Sequence, residues 1–353
     1  MLVALRTRRW RGSVSAHRGA VAFLFASALL NVSNLAFHLV VSRIIGPGRY
    51  GALSALVVVT GLLAIPLGAL QTASTHAQAG APAGSDARRL VRAGFLLGAA
   101  VLVVGVACAP SLAGILHLRS PVSALLLAAW LGLSVAAAVP TGLLFGQGRF
   151  AAAGVSLLAG GGVVRLIAGA VLSGPMGVAG GMLATAIGAG VTLVIVLCAI
   201  RGQLVAPSDP PLRMSRTIGA LSLAALVGLA LLTGLDTILA RNLMSSVQSG
   251  VYASAAVAGR IALFAPGAIA LVAFPHFAEA YKRDADDARL LGWSLGLIVV
   301  IGAGATAVLS AAPGLVISLM FGSRYADAAS LVALLAVEGA ALGVLSLLIY
   351  YLI

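Results

Sequence analysis

Residues Leu231–Asp284 read LLTGLDTILARNLMSSVQSGVYASAAVAGRIALFAPGAIALVAFPHFAEAYKRD. Two apolar runs, each long enough to cross a bilayer, flank a short polar hinge at Arg241–Gly250. Asp236 lies inside the first run and Arg260 inside the second. Pro266 and Pro275 interrupt the second run, which ends in the charged patch Lys282–Asp287. An ionised side chain in a lipid-embedded helix is costly, so each of these two marks a candidate functional position.

The rest of the chain has the same character. It holds 353 residues, 61% hydrophobic and 9% charged, with a mean hydropathy of +1.11. Soluble domains carry roughly 25% charged residues, so lipid is the solvent for most of this chain. In lipid each backbone N–H and C=O must be satisfied inside the fold, which leaves helices or a closed barrel. Barrel strands alternate apolar and polar residues. The apolar runs here are continuous over about 20 residues, the length of a membrane helix. The fold class is therefore all-α and polytopic.

Ten spans are expected: 20–44, 51–75, 93–116, 121–145, 150–172, 177–200, 217–240, 250–275, 290–317 and 326–352. The basic residues orient them. With the N-terminus inside, 15 of the 22 Lys and Arg fall in inside segments, starting with Arg6, Arg8, Arg9, Arg11 and Arg18. Arg43, Arg49, Arg119, Arg241 and Arg324 fall outside, and Arg165 and Arg260 lie within spans. This bias places both termini in the cytoplasm. It also accounts for the net charge of +13 through topology and anionic headgroups rather than nucleic acid. The basic leader 1–19 lacks a small-residue cleavage site and reads as retained.

The inside segment 201–216 carries Pro207, Pro210 and Pro211, which no helix continues through. It divides a first lobe of six spans, 20–200, from a second of four, 217–353. A weak internal repeat follows the same division. Arg43, Tyr50-Gly51 and Pro66 recur in order as Arg241, Gly250-Val251-Tyr252 and Pro266. Parallel repeats are common in secondary transporters and place the substrate path at the repeat interface. Glycine pairs spaced by four, such as Gly94/Gly98, Gly142/Gly146 and Gly292/Gly296, read as close helix packing within the bundle.

Enzyme and cofactor constellations are missing from this pattern. Cys108 and Cys198 sit inside apolar runs and read as small core residues. Aspartate and glutamate total nine, and there is no Walker A motif, zinc-ligand spacing or nucleophile elbow. No catalytic residue, metal site or cofactor is assigned, and the chain is not expected to be an enzyme.

Three stretches carry a family resemblance. The first is Asn31–Gly51, ending Ser42-Arg43-Ile44-Ile45-Gly46-Pro47-Gly48-Arg49-Tyr50-Gly51. The second runs from Asp236 through Gly250-Val251-Tyr252 and Arg260 to Phe274-Pro275. The third is Leu319-Met320-Phe321-Gly322-Ser323-Arg324-Tyr325-Ala326-Asp327. Their order and spacing resemble the polysaccharide and O-antigen flippase family, in the superfamily that also holds multidrug-and-toxin exporters and lipid II flippases. The resemblance implies two six-helix lobes around a central cavity. It also implies alternating-access transport of a polyprenyl-pyrophosphate-linked oligosaccharide across the bacterial inner membrane. Such proteins have twelve to fourteen spans, so a chain of ten is expected to have an incomplete second lobe. Lipid-linked oligosaccharide and membrane lipids are the expected partners, with a glycan polymerase or glycosyltransferases as further candidates. The alternatives are a multidrug exporter of the same superfamily and a non-transporting scaffold for glycan assembly.

A pyrophosphate in a low-dielectric cavity needs fixed cations, and a guanidinium offers forked N–H donors while staying charged. Arg165 and Arg260 are the candidates for that role; a structural ion pair with Asp236 or Glu338 is the competing one. Asp236 and Glu338, as carboxylates inside spans, are candidates for proton or sodium coupling. Asn31, Asn34 and His38 share one helix face and are candidates to line a sugar path, with interhelical hydrogen bonding as the alternative.

Overall fold

The structure, a computed structural model, describes residues 2–79, 87–204, 234–263 and 288–352. Every regular element among them is helical. They are α1 (Leu2–Ile45), α2 (Pro47–Ala79), α3 (Ala87–Ile115), α4 (Val122–Gly146), α5 (Phe150–Leu157), a π-helical segment (Leu158–Val164), α6 (Arg165–Met176) and α7 (Val178–Leu204). A helical stretch at 234–243 precedes α8 (Ser246–Gly259). Then come α9 (Ala288–Ala311), α10 (Pro313–Met320), a 3-10 helix (Ser323–Ala328) and α11 (Ala329–Leu352).

Eight helices among the described residues are long and apolar enough to cross a membrane. The chain is an all-helical, multi-pass membrane protein. The eight match the expected spans except 217–240 and 250–275, of which 217–233 and 264–275 lie outside the described residues, as does Pro266. The basic leader is continuous with the first span in α1. The expected ninth span, 290–317, is broken: Ala312 is non-helical (φ −145°, ψ 60°) and Pro313 opens α10. Proline lacks an N–H and disfavours helical geometry in the residue before it. Gly46, at φ +73°, ends α1, and Pro47 starts α2 directly. Glycine tolerates the left-handed conformation there, and proline suits the first helical position.

The chain divides into two compact units, residues 1–41 with 63–219, and 42–62 with 220–353. Residues 42–62, inside the expected first lobe 20–200, thus belong to the second unit.

In the first unit, glycines set the helix spacing. A Cβ on Gly98 would lie 2.6 Å from the Gly132 carbonyl oxygen, and one on Gly142 would lie 2.3 Å from that of Gln71. Gly146 meets Thr75 O in the same way, at 2.6 Å. Thr75 donates its hydroxyl to Gly142 O at 3.1 Å, so the α2–α4 seam has a polar clip beside its glycine contacts. One apolar core joins Val91 of α3, Val139 and Leu143 of α4, Ala153 of α5, and Val196 and Ile200 of α7.

In the second unit, Tyr50, Phe321 and Tyr325 form a buried aromatic cluster with ring centroids 5.7–6.1 Å apart. Tyr325 donates its hydroxyl to Ser42 O at 2.8 Å. Arg43 donates to the Met320 carbonyl at 3.1 Å and also to that of Leu319. These carbonyls end α10, where helices leave acceptors unpaired. Gly292 and Gly296 instead meet nothing within 4 Å among the described residues and line an apolar groove of about 610 Å³ with Trp293, Leu297 and Val300.

The two glycine environments give opposite expectations. Gly142→Ala should lower the melting temperature of the purified protein, because the new methyl meets backbone. Gly296→Ala should leave it unchanged or raise it, since alanine is favoured over glycine in a helix by about 0.5–1 kcal/mol. Thermal unfolding in detergent measures both; equal shifts would show that the α2–α4 seam is loose.

Candidate functional site

The first candidate site is built around Arg165. The sequence before it, Leu158-Ala-Gly-Gly-Gly-Val-Val164, forms the π-helical segment. A Cβ on Gly160 would lie 2.3 Å from Gly188 O and 2.2 Å from Thr192 Oγ1; one on Gly188 would lie 2.6 Å from Gly160 O. The glycines therefore let this segment lie against α7 backbone to backbone. π-Helical turns shift the register of the helix that follows and occur frequently at functional sites. Arg165 is the first residue of α6 after that shift.

Its guanidinium reaches α1. Nη1 donates to Asn34 Oδ1 at 2.8 Å, and Cζ lies 4.1 Å from the centroid of the Phe37 ring. That distance is a cation–π contact. Room for Phe37 comes from Gly169, one turn along α6, where a Cβ would lie 2.6 Å from Phe37 Cε2. Nε and Nη2 are buried and have no hydrogen-bond partner among the described residues. They form one edge of the planar guanidinium, the pair able to give two parallel N–H bonds to a carboxylate or phosphate.

Of the α1 candidates, the structure brings Asn34 to Arg165. Asn31, one turn earlier, is exposed. His38 is half-buried, its ring edge-on to Phe37 with centroids 5.9 Å apart. Phe37, whose ring lies under the guanidinium, is the residue of this candidate site that the sequence did not single out. Its signal was the spacing of three from Asn34, which puts both on the face that meets Arg165.

The second candidate site lies in the second unit. Arg260, at the C-terminal end of α8, donates from Nη2 to Asp236 Oδ1 at 2.7 Å and Oδ2 at 2.8 Å, and to Thr237 Oγ1 at 3.4 Å. Tyr252 donates its hydroxyl to Asp236 Oδ2 at 2.9 Å. This is the one ion pair among the described residues, with side-chain exposures of 18% and 19%. Tyr252 and Asp236 come together because α8 turns back beside the stretch 234–243. Ser245 and Gln248 form a reciprocal capping box at the start of α8, which fixes that reversal. Glu338, half-buried on α11, lies within electrostatic range of both Asp236 and Arg260. Its helix is held close to α8 through Gly339, where a Cβ would sit 2.7 Å from Gly259 O.

The two arginines therefore differ. Arg260 faces a carboxylate that neutralises it. Arg165 has only neutral partners among the described residues, and two of its donor nitrogens are unused.

Comparison with known proteins agrees with this architecture. A MATE in complex with MaL6 superposes with a TM-score of 0.61 at 17% identity, covering 96% of this chain and 85% of that one. An inward-facing multidrug resistance MATE family transporter of the MOP superfamily gives 0.61 at 17% identity, covering 90% and 83%. A MATE P26A mutant gives 0.61 at 17% identity, covering 96% and 84%. At such identity the likeness is one of fold. No curated protein matches the sequence. A family model described as polysaccharide biosynthesis protein matches residues 40–330. That match spans most of the chain, including Arg165, Asp236 and Arg260: the chain belongs to the polysaccharide biosynthesis protein family and has the fold of MOP-superfamily transporters.

Proposed function

We propose that this protein carries a polyprenyl-pyrophosphate-linked oligosaccharide across the bacterial inner membrane by alternating access, with both termini cytoplasmic, and does no chemistry on its cargo. Arg165 is the residue that holds the pyrophosphate. The observation that carries this reading is its guanidinium, buried in a membrane helix bundle without a counter-ion among the described residues and with the Nε/Nη2 edge unpartnered. A buried charged donor without a partner is expensive, and a phosphate would supply two acceptors at once. Asn34 and Phe37 hold the guanidinium from its other edge and its face. Export of cationic drugs would call for a site of net negative charge, whereas Asp236 is met by Arg260 and the unneutralised cation is Arg165. Glu338 makes no ion pair among the described residues and remains the candidate for coupling. Membership of the polysaccharide biosynthesis family supports a glycan cargo, and glycosyltransferases or a polymerase are the natural neighbours of such a transporter.

Complementation of a flippase-deficient strain tests this reading. Arg165→Gln should reduce surface glycan at least tenfold at equal membrane abundance, judged by immunoblot. Arg165→Lys should restore part of the loss, since it keeps the charge and loses the fork. Wild-type export by the glutamine variant would remove Arg165 from the mechanism.

A further inference from the structure

One end of the second unit gathers positive charge that the cargo site does not use. Arg43 closes α1, Arg49 lies in the first turn of α2, and Arg324 follows the Gly322 turn. The contacts of Arg43 with the Leu319 and Met320 carbonyls bring the two stretches together. A Cβ on Gly46 would lie 3.9 Å from Arg324 Nη1, and the Gly46 carbonyl accepts from the Arg49 N–H at 3.3 Å. All three arginines are exposed. None makes an ion pair among the described residues; Asp327, three residues after Arg324, is exposed and makes none either.

Two helix N-termini open at the same place. α2 starts at Pro47 and α8 at Ser246, and they touch where a Cβ on Gly48 would lie 3.8 Å from Val247 Cγ2. Neither has an acidic residue in its first turn. A helix N-terminus carries partial positive charge, and Arg49 adds to it where an acid would be expected. The depth is also telling. Ile45 ends one candidate span, Pro47 begins the next, and Ser323 begins another. Residues at span ends lie at the level of lipid phosphates.

We propose that Arg43, Arg49 and Arg324 form a binding site for the phosphate of an anionic phospholipid headgroup, seated over the start of α2. Arg43 is held in place by the α10 carbonyls, while Arg49 and Arg324 have no side-chain hydrogen bond among the described residues and keep their donors for the phosphate. The site belongs to the second unit and Arg165 to the first, and the assignment does not depend on the cargo proposed above.

The test uses the full-length protein in detergent and in nanodiscs. Native mass spectrometry counts bound phosphatidylglycerol, with phosphatidylcholine as the neutral reference. The double variant Arg49→Gln/Arg324→Gln should bind phosphatidylglycerol about 10–30-fold more weakly than wild type, from about 1 kcal/mol per basic residue near an anionic surface. A charge-matched control, Arg88→Gln/Arg89→Gln, removes two exposed arginines of the first unit and should change binding less than twofold. An unchanged melting temperature in phosphatidylcholine nanodiscs shows that the double variant folds; should it drop, each single variant is measured instead, with about a 3–5-fold loss expected. Equal losses in both double variants would mean diffuse attraction and overturn the site. So would wild-type affinity in Arg49→Gln/Arg324→Gln. Displacement of phosphatidylglycerol by millimolar inorganic pyrophosphate would overturn the lipid assignment in favour of a phosphorylated solute.

Discussion

Asp236→Asn should destabilise the second unit by about 2 kcal/mol, and adding Arg260→Gln should recover most of that loss. Removing one partner of a fully buried ion pair costs about 3–5 kcal/mol because the other charge is stranded. Exposed pairs contribute about 0–1 kcal/mol. With side-chain exposures of 18% and 19%, this pair falls between. Asparagine keeps an acceptor for the Tyr252 hydroxyl, so the substitution isolates the charge from the hydrogen bond. In the single variant Arg260 still has Thr237 Oγ1, a weak acceptor at 3.4 Å, and the neighbouring Glu338 as its remaining anion. A double-mutant cycle on thermal unfolding in detergent reads the coupling. A value below about 0.5 kcal/mol would show that Asp236 and Arg260 act independently.

Gly250→Ala is expected to be more damaging still. A Cβ on Gly250 would lie 1.9 Å from the Pro47 carbonyl oxygen and 2.7 Å from its carbon. Both are backbone atoms and cannot turn aside as a side chain could. Across the same contact, a Cβ on Gly51 would lie 2.3 Å from Ser249 Oγ and 2.8 Å from the Gly250 nitrogen. The two segments that repeat each other in sequence are thus packed directly against one another. Overpacking commonly costs about 1–3 kcal/mol, and more where neighbours cannot move. Gly250→Ala should therefore give poor membrane yield and a melting temperature well below that of Gly296→Ala. A wild-type melting curve would falsify the tight α2–α8 crossing.

The fold class was legible because lipid leaves few options. Long apolar runs can only be helices, and Gly46-Pro47 marks a helix end and a helix start by chemistry alone. The break at Ala312 was equally available from Pro313, but a continuous apolar run from 290 to 317 hid it. Membership of residues 42–62 in the second unit was not visible, because hydropathy reports contact with lipid and not with a particular neighbour. At the site, composition exposed Arg165, Asp236 and Arg260 as charges in apolar runs. It could not say which carboxylate met which arginine, since that depends on helix rotation. Phe37 escaped notice for a related reason: an aromatic in an apolar helix differs from its neighbours only once a cation lies over its face. The π-helical segment had a visible trace in Gly160-Gly161-Gly162, although three glycines alone do not specify helix type.

The contacts of Ser42, Arg43 and Tyr50 with the stretch 319–325 also set an order of biogenesis. Arg43 and its carbonyl partners are separated by 276 and 277 positions. At a ribosomal speed of about 5–20 residues per second, the start of α2 waits on the order of 10 to 60 seconds in the bilayer before its partner is made. Throughout that interval Arg43 lacks its α10 carbonyl acceptors and Tyr50 lacks the rings of Phe321 and Tyr325. A translation pause placed after codon 300 should therefore lengthen the nascent chain's vulnerability at its amino-terminal hairpin, far from the pause itself.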